Sequence, residues 1–537
     1  MALSTKLIFS AVVAALGGFL FGFDTVVISG AEQKFQSLWD LNDSLHGWAM
    51  SSALWGTVVG ALLGSVPADR FGRKATLIWV GLFFLVSAVW SGLATDVYCF
   101  MIARFVGGLG VGVSTVAAPL YIAEIAPAEK RGFLTGLFQF NIVFGILGAF
   151  LSNSLLEGTS EDDWRWMLGI EGFPAVIYTI AALFIPESPR WLIGIQSRRN
   201  DGQAVLAEIA PEASDEEITS MADAIEAASK AEVKATGGAT FPKQLRVPIL
   251  LAFLVAFFNQ LSGINAILYF APRILGMAGL SDPRMGQVGI GLVNLVFTMA
   301  GLWMIDRAGR RTLLIIGSLG YIASLAIVSA TFFVNEPALN VAGDALALKN
   351  AEETLQHAES EGTTGEVFTS SRRKSEDARA TFLKSIARDD YQGERIGLNP
   401  SASSEDIIAA ADQAAGEATE LVGDGSIIVL LGIFAFIASH AIGQGAVIWV
   451  LISEVFPNEH RAIGNSIGSG THWVFAALIT LFFPTLVSYF APGYVFAFFC
   501  FMMVMQLVWV LTSVPETKGV PLEQVERSLG ISQLIAP

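Results

Sequence analysis

The sequence predicts an all-α membrane protein: twelve transmembrane helices in two pseudo-symmetric six-helix bundles. Three observations predict it. Hydrophobic residues make up 53% of the 537-residue chain and charged residues only 15%. A soluble domain carries roughly a quarter charged residues, so most of this surface faces something other than water. Apolar stretches of about 20 residues recur along the chain, long enough to cross a ~30 Å hydrocarbon core as helices. The chain also repeats itself. Asp69-Arg70-Phe71-Gly72-Arg73-Lys74 returns as Asp306-Arg307-Ala308-Gly309-Arg310-Arg311, and Glu124 with Arg131 returns as Glu454 with Arg461. Pro186-Glu187-Ser188-Pro189-Arg190 returns as Pro515-Glu516-Thr517-Lys518-Gly519. From the glutamate to that proline takes about 62 residues in the first half and about 61 in the second, which marks one duplicated unit.

The first half, 1–192, holds six predicted spans near 7–30, 46–68, 75–94, 98–122, 134–155 and 167–185. Lys6 precedes the first, but the apolar run continues past Gly17 and Gly18 to Gly30 without a small-residue cleavage site. It therefore reads as a retained span rather than a signal peptide. A polar linker follows at 193–246, where Asp215-Glu216-Glu217 opens an alanine-rich helical pattern. Spans seven to nine are expected within 247–334, near 247–271, 286–305 and 312–334. The next stretch breaks the repeat, since Asp69 to Glu124 takes about 55 residues and Asp306 to Glu454 about 148. The extra ~90 residues form an acidic insert at 335–425, carrying roughly ten net negative charges. Helices are expected there at 345–360, 372–388 and 405–421, the last capped by Ser403 in an S-x-x-D pattern with Asp406. The insert reads as a solvated helical cap or spacer. Spans ten to twelve lie within 426–520, near 427–452, 463–489 and 493–514, and a tail occupies 521–537.

Orientation follows from the cations. The loops after spans 2, 4, 6, 8 and 10 carry Arg70, Arg73, Lys74, Lys130, Arg131, Arg190, Arg307, Arg310, Arg311 and Arg461, and the alternate loops are poor in Lys and Arg. This bias puts both termini in the cytoplasm and the insert outside, in a multi-pass protein of the plasma membrane (the inner membrane in a bacterium). Cys99 and Cys500 lie at or inside predicted spans, which argues against a disulfide framework. No Cys/His spacing suits a metal and no phosphate-binding loop is present, so no metal or cofactor is expected and ATP hydrolysis by such a loop is excluded. A net charge of −16 gives no support to nucleic-acid binding.

Charges at bilayer depth are costly and so mark functional candidates. Asp24 falls in span 1, Arg104 near the start of span 4 and Glu171 in span 6 before Pro174. Two readings fit: a carboxylate that takes and releases a proton as the guanidinium approaches or withdraws, or a static interhelical ion pair. Span 7 carries Asn259, Gln260, Ser262 and Asn265, with Gly263 loosening the backbone. Amides offer donors and acceptors together, which suits a hydroxyl-rich ligand, and Gln139 and His472 add to the set. Trp449 and Trp473 offer apolar faces for the C–H side of a sugar ring. The plainer alternative is hydrogen bonding between helices. The glycines of span 4 (Gly107, Gly108, Gly110, Gly112) have no preceding strand and read as close helix packing rather than a nucleotide loop. The repeated loop charges Asp69, Arg73, Glu124, Arg131, Glu187, Asp306, Arg310, Glu454, Arg461 and Glu516 are expected to form cytoplasmic gate ion pairs that hold the two halves together in one state.

The stretch Gly22-Phe23-Asp24-Thr25-Val26-Val27-Ile28-Ser29-Gly30, the two D-R-x-G-R-[KR] loops, Glu124 to Arg131-Gly132, Trp164-Arg165-Trp166-Met167, 186–192, Gln260-Leu261-Ser262-Gly263-Ile264-Asn265 and 515–519 resemble the sugar porter family of the major facilitator superfamily. The resemblance runs from span 1 to span 12 and leaves out the insert. It implies two bundles of inverted three-helix repeats rocking about a central site. It also implies sugar hydroxyl contacts at Gln139, Asn259, Gln260, Asn265 and Asn294, an aromatic lining of Phe21, Tyr269, Trp449 and Trp473, and proton coupling through Asp24, Arg104 and Glu171. His472 stands where close relatives carry Gln, and Gly445-Ala446 replaces the family's Gly-Pro. The expected function is import of a monosaccharide, hexose or pentose, by proton symport through alternating access, in a monomer whose partners are sugar, protons and the bilayer. The alternatives are a facilitative uniporter and a non-transporting sugar sensor on the same fold.

Overall fold

A computed structural model describes residues 4–127, 129–235, 245–280, 282–360, 366–394, 403–457 and 460–520, with 524, 525 and 529 beyond them. Eleven helices are long and apolar enough to cross a membrane, and a bent pair makes the twelfth. Span 1 is Thr5–Leu38, started by Ser4, whose side chain accepts from the Leu7 amide. Span 2 runs Asp43–Leu63 from an Asn42 cap and bends by 50° into Ser65–Phe71. Span 3 is Arg73–Gly92 and span 4 is Val97–Ile125, where the Asp96 carboxylate accepts from the Tyr98 and Cys99 amides. Span 5 is Arg131–Leu156, and span 6 is broken into Asp163–Gly169 and Gly172–Leu183. In the second half, span 7 is Arg246–Leu261, Ile264–Tyr269 and Ala271–Met277, and span 8 is Arg284–Ala308. Span 10 is Gly425–Ile442 and Gln444–Glu454, span 11 Arg461–Tyr489 and span 12 Pro492–Ser513.

Span 9 corrects the expected layout of the insert. In place of a span ending near 334 and a separate helix at 345–360, one helix runs Arg310–Ser360, 51 residues through Pro337. At 1.5 Å per residue it is about 77 Å long, well over twice the hydrocarbon thickness. The proline removes one backbone donor, but the alanine-rich stretch beyond it keeps an apolar face. Val341, Ala345 and Leu348 on that face pack with Phe382, Ala411 and Ala414 from the two remaining insert helices, Glu366–Ile386 and Ser404–Val422. The expected capping box is formed: the Ser403 hydroxyl accepts from the Asp406 amide at 3.2 Å and the Asp406 carboxylate accepts from the Ser403 amide at 3.3 Å.

Glycines set the helix spacing. A Cβ on Gly108 of span 4 would fall 1.8 Å from the Ala53 carbonyl oxygen of span 2, and one on Gly22 of span 1 would fall 1.9 Å from the Ile142 carbonyl oxygen of span 5. Gly108 and Gly112 of span 4 are thus points of close backbone approach, while Gly107 and Gly110 face side chains of span 3, so all four serve close helix packing, as expected. Between the halves, span 2 packs on span 11 and span 5 on span 8. These two seams are equivalent under the duplication, because span 8 repeats span 2 and span 11 repeats span 5. Large apolar side chains such as Trp79, Ile180, Leu319 and Phe501 stay exposed on the outer faces, where lipid would cover them. The linker helices Arg199–Ile209 and Asp215–Ala235 pack under the first half through Leu206, Ile209 and Ile218.

Phe382 is fully buried in the insert, so Phe382→Ala should cost that unit about 3–5 kcal/mol. Hydrogen exchange should then rise across the two insert helices while the spans stay protected.

Candidate functional site

Two neighbouring clusters occupy the centre of the bundle. In the first, Arg104 and Asp24 are each 1% exposed. Arg104 Nη1 donates to Asp24 Oδ1 at 2.6 Å, and Nη2 donates to the Asp24 carbonyl oxygen at 2.7 Å. The side chain therefore grips both the carboxylate and the backbone of span 1. Gly107, one turn along span 4, makes the room: a Cβ there would meet Ser87 Oγ at 2.4 Å and Asp24 Oδ1 at 3.3 Å. Glu171 is fully buried at the break in span 6, in electrostatic range of both Asp24 and Arg104. Neither of its carboxylate oxygens has a hydrogen-bond partner. Two carboxylates and one guanidinium thus share a buried enclosure, one carboxylate more than the guanidinium can balance.

The second cluster is built on span 7. Gly263 has φ +87°, a left-handed conformation that glycine adopts without strain. The helix breaks there and turns successive polar side chains inward. Gln260 Nε2 donates to Asn259 Oδ1 at 2.9 Å, and Asn265 Nδ2 donates to Gln260 Oε1 at 2.7 Å. Gln260 Nε2 also lies 3.2 Å from the His472 ring nitrogens. The His472 ring sits 5.0 Å from Trp449 and 4.8 Å from Trp473, and Trp473 in turn stands 5.7 Å from Phe21 of span 1. Trp473 Nε1 is buried without a partner. Asn294 is buried on span 8, its side-chain Oδ1 accepting from Thr298 Oγ1 at 3.4 Å, and Gln139 is half-buried on span 5, the span that packs against span 8. Tyr269 joins the clusters: it follows Asn265 by one helical turn and lies in electrostatic range of Asp24 and Arg104.

The repeated loops fold into the same structure twice. Gly72 and Gly309 both have φ +95°, which explains the invariant glycine of the two motifs. A Cβ would strike the carboxylate that docks there, Glu187 at 2.2 Å or Glu516 at 2.5 Å. Glu187 accepts from the Arg73 and Lys74 amides, and Glu516 from the Arg310 and Arg311 amides. Burial holds the Glu187 carboxyl above its usual range, against the backbone donors of Ser188, Lys74 and Arg73 that favour the charged form. Arg73 makes a fork to Glu124 at 2.9 Å on each arm and reaches Asp69 at 3.0 Å. Arg310 forks to Glu454 at 3.1 and 2.9 Å and reaches Asp306 at 3.2 Å.

This geometry corrects the expectation of a latch between the halves. Each arginine spends its donors inside its own half, because the left-handed glycine aims it back at the glutamate ending span 4 or span 10. Glu124 and Glu454 pair with Arg73 and Arg310 rather than with the arginines seven residues on. Arg131 opens span 5 with its Nε unpartnered, and the side chain of Arg461 lies outside the described residues.

Sequence reasoning missed a third buried cluster: Glu32, His46 and Arg273, at the end of the bundle that carries the insert. Glu32 and His46 are 0% exposed. The signal was hidden by span boundaries. With span 1 expected to end near 30 and span 7 near 271, Glu32 and Arg273 read as loop charges, whereas the helices continue to Leu38 and, past Tyr269, to Met277. A buried pair of Tyr321 Oη and His440 Nδ1 at 2.6 Å was likewise unforeseen.

Comparison with known proteins adds relatives. The family described as "Sugar (and other) transporter" matches residues 10–348 and 408–529, passing over most of the insert. The chain is 29% identical over 524 residues to the arabinose-proton symporter of Bacillus subtilis, covering 96% of this chain and 93% of that one. It is 30% identical over 540 residues to the probable inositol transporter 2 of Arabidopsis thaliana, covering 96% and 90%. Among solved structures, it superimposes with TM-score 0.68 and 26% identity on the partially occluded inward-open xylose transporter XylE from E. coli, over 96% of this chain and all of that one.

If the loop clusters act within their own halves, Arg73→Ala and Arg310→Ala should each lower the thermal stability of the purified protein. Removing one partner of a largely buried pair costs about 3–5 kcal/mol, and Arg73, at 5% side-chain exposure against 11% for Arg310, should cost more. The double variant should show the sum of the two losses, since only a latch between the halves would couple them.

Proposed function

The chain belongs to the sugar transporter family, within the major facilitator superfamily, and on that footing we propose that it imports a monosaccharide by proton symport through alternating access. The observation that carries the proposal is the buried Asp24–Arg104 pair with Glu171 beside it. An unbalanced charge inside a membrane bundle costs several kcal/mol, so the enclosure is sensitive to the gain or loss of one proton. Protonation of Asp24 from outside cancels the surplus charge and, with Glu171 left to answer Arg104, loosens the hold of Arg104 on span 1; release inward restores it. Tyr269 shares the broken segment of span 7 with Asn265, which gives the proton cluster and the sugar cluster a common moving part.

The sugar sits between the halves in this reading. Asn259, Gln260, Asn265, Asn294 and Gln139 exchange their mutual hydrogen bonds for bonds to sugar hydroxyls. Phe21, Tyr269, Trp449, His472 and Trp473 cover the apolar faces of the ring. The relatives' substrates, arabinose and xylose in two cases, support a pentose or hexose of that size. The Lys and Arg bias favours cytoplasmic termini and loops 69–74 and 306–311, with the insert outside, in the plasma membrane, or the inner membrane of a bacterium. The functional units are then the bundle 1–192, the bundle made of 247–334 and 426–520, the cytoplasmic linker 193–246, the external insert 335–425 and the tail 521–537.

In proteoliposomes with an imposed pH gradient, Asp24→Asn should abolish concentrative uptake of labelled sugar while exchange of sugar across the membrane persists. Full concentrative uptake by this variant would contradict symport, and uptake by the parent protein that ignores the gradient would indicate a uniporter. Gln260→Ala removes a donor and acceptor from the sugar, worth about 1–3 kcal/mol. It should raise KM by roughly 5- to 150-fold, and freeing Asn259 and Asn265 of their partner should also lower stability by about 1–3 kcal/mol.

A further inference from the structure

We propose that the insert end of the molecule carries an electrostatic clasp of fixed polarity, with carboxylates on the first half and cations on the second, and that it holds the outward gate shut. This rests on the transporter reading above. Among the described residues, three ion pairs cross the seam at that end. Arg273 of span 7 forks onto Glu32 of span 1 at 3.0 and 2.8 Å and also donates to Gln36. Lys374 of the insert reaches Asp40, in the turn after span 1, at 2.7 Å. Arg284, at the start of span 8, stands 4.0 Å from Glu157 at the end of span 5, with Asp282 of its own half nearer at 3.2 Å. In each pair the first half supplies the carboxylate and the second the cation.

The inner pair is the most buried of the three. Glu32 has 0% side-chain exposure and Arg273 22%. His46 Nε2 of span 2 stands 3.2 Å from the other side of Glu32 Oε2, and the His46 ring lies edge-on to Phe270 at 6.0 Å. Backbones touch beside it: a Cβ on Gly47 would fall 2.0 Å from the Leu481 carbonyl oxygen of span 11. Arg273 lies one turn beyond Tyr269, so the pair ties the substrate-lining segment of span 7 directly to span 1, the helix of Asp24. Outward opening must pull Glu32 from Arg273, which makes both positioning residues for the gate. The insert then has a role in the cycle, since its Lys374 adds a cation to the outer ring of the clasp.

The test is a distance measurement on the full chain. Spin labels go on Ser160→Cys of the first half and Tyr489→Cys of the second, both exposed at the insert end, in a Cys99→Ser, Cys500→Ser background. The parent should show mainly a short distance. Glu32→Gln leaves Arg273 only the more distant Asp43 as a charge partner, and should raise the long-distance population at least tenfold. Lys374→Glu breaks an exposed pair without burying anything and should raise it about two- to fivefold; adding Asp40→Lys should restore the parent distribution. Distributions for Glu32→Gln and Lys374→Glu that superimpose on the parent would overturn the clasp, as would failure of the Asp40→Lys exchange to rescue. Because the labels report shape and not flux, such a result counts against the clasp alone, whereas loss of sugar uptake in the unaltered parent counts against the transport reading.

Discussion

The rest of the structure depends on one constraint: a guanidinium at 1% exposure inside a membrane bundle must be answered by a carboxylate. Arg104 and Asp24 meet that demand by holding span 4 against span 1, with glycine at 107 leaving space for the carboxylate. Glu171 then makes the balance incomplete by one charge. A symmetrical pair alone would be a rigid staple. In the proposed cycle the third group makes the energy of the site depend on a proton, and it sits at the break of span 6, where the helix is already interrupted.

The duplication distributes these roles unequally. Both halves keep the same loop structure, a left-handed glycine with an arginine forked onto a glutamate, and both use it to brace three helices of one bundle. Such bracing suits rigid bodies that rock against each other, because it costs nothing when the halves part. The ties that must break during rocking are elsewhere, at the insert end, and they involve residues outside the repeated motifs. The proton cluster belongs to the first half and most of the amide cluster to the second, with Tyr269 and Phe21 reaching across.

Much of this was legible in the sequence because membrane helices announce themselves by apolar length and because doubled motifs cannot arise from composition alone. The twelve spans, the packing role of Gly108 and the Ser403 cap follow from such local rules. The meeting of Asp24 with Arg104 was legible as well, since two opposite charges in hydrocarbon have few other partners. What was not legible required knowing direction. Nothing in D-R-x-G-R-[KR] says whether Arg73 turns toward its own half or the other, and the φ of Gly72 settles it. Span ends hid Glu32 and Arg273, because a charge near a boundary looks the same whether the helix stops before it or runs on. Span 9 ran through Pro337 because packing against the insert's own helices outweighed one lost backbone donor.

The central claim is that sugar crosses together with a proton carried by the Asp24 enclosure. Its most direct test is the proton flux that accompanies sugar in the unaltered protein. In proteoliposomes with no imposed gradient, adding sugar outside should alkalinise the external medium at a rate equal to sugar entry, about one proton per sugar, as the single surplus charge of the enclosure requires. Sugar entry with no pH change, under conditions where a known amount of acid is readily detected, would contradict the account.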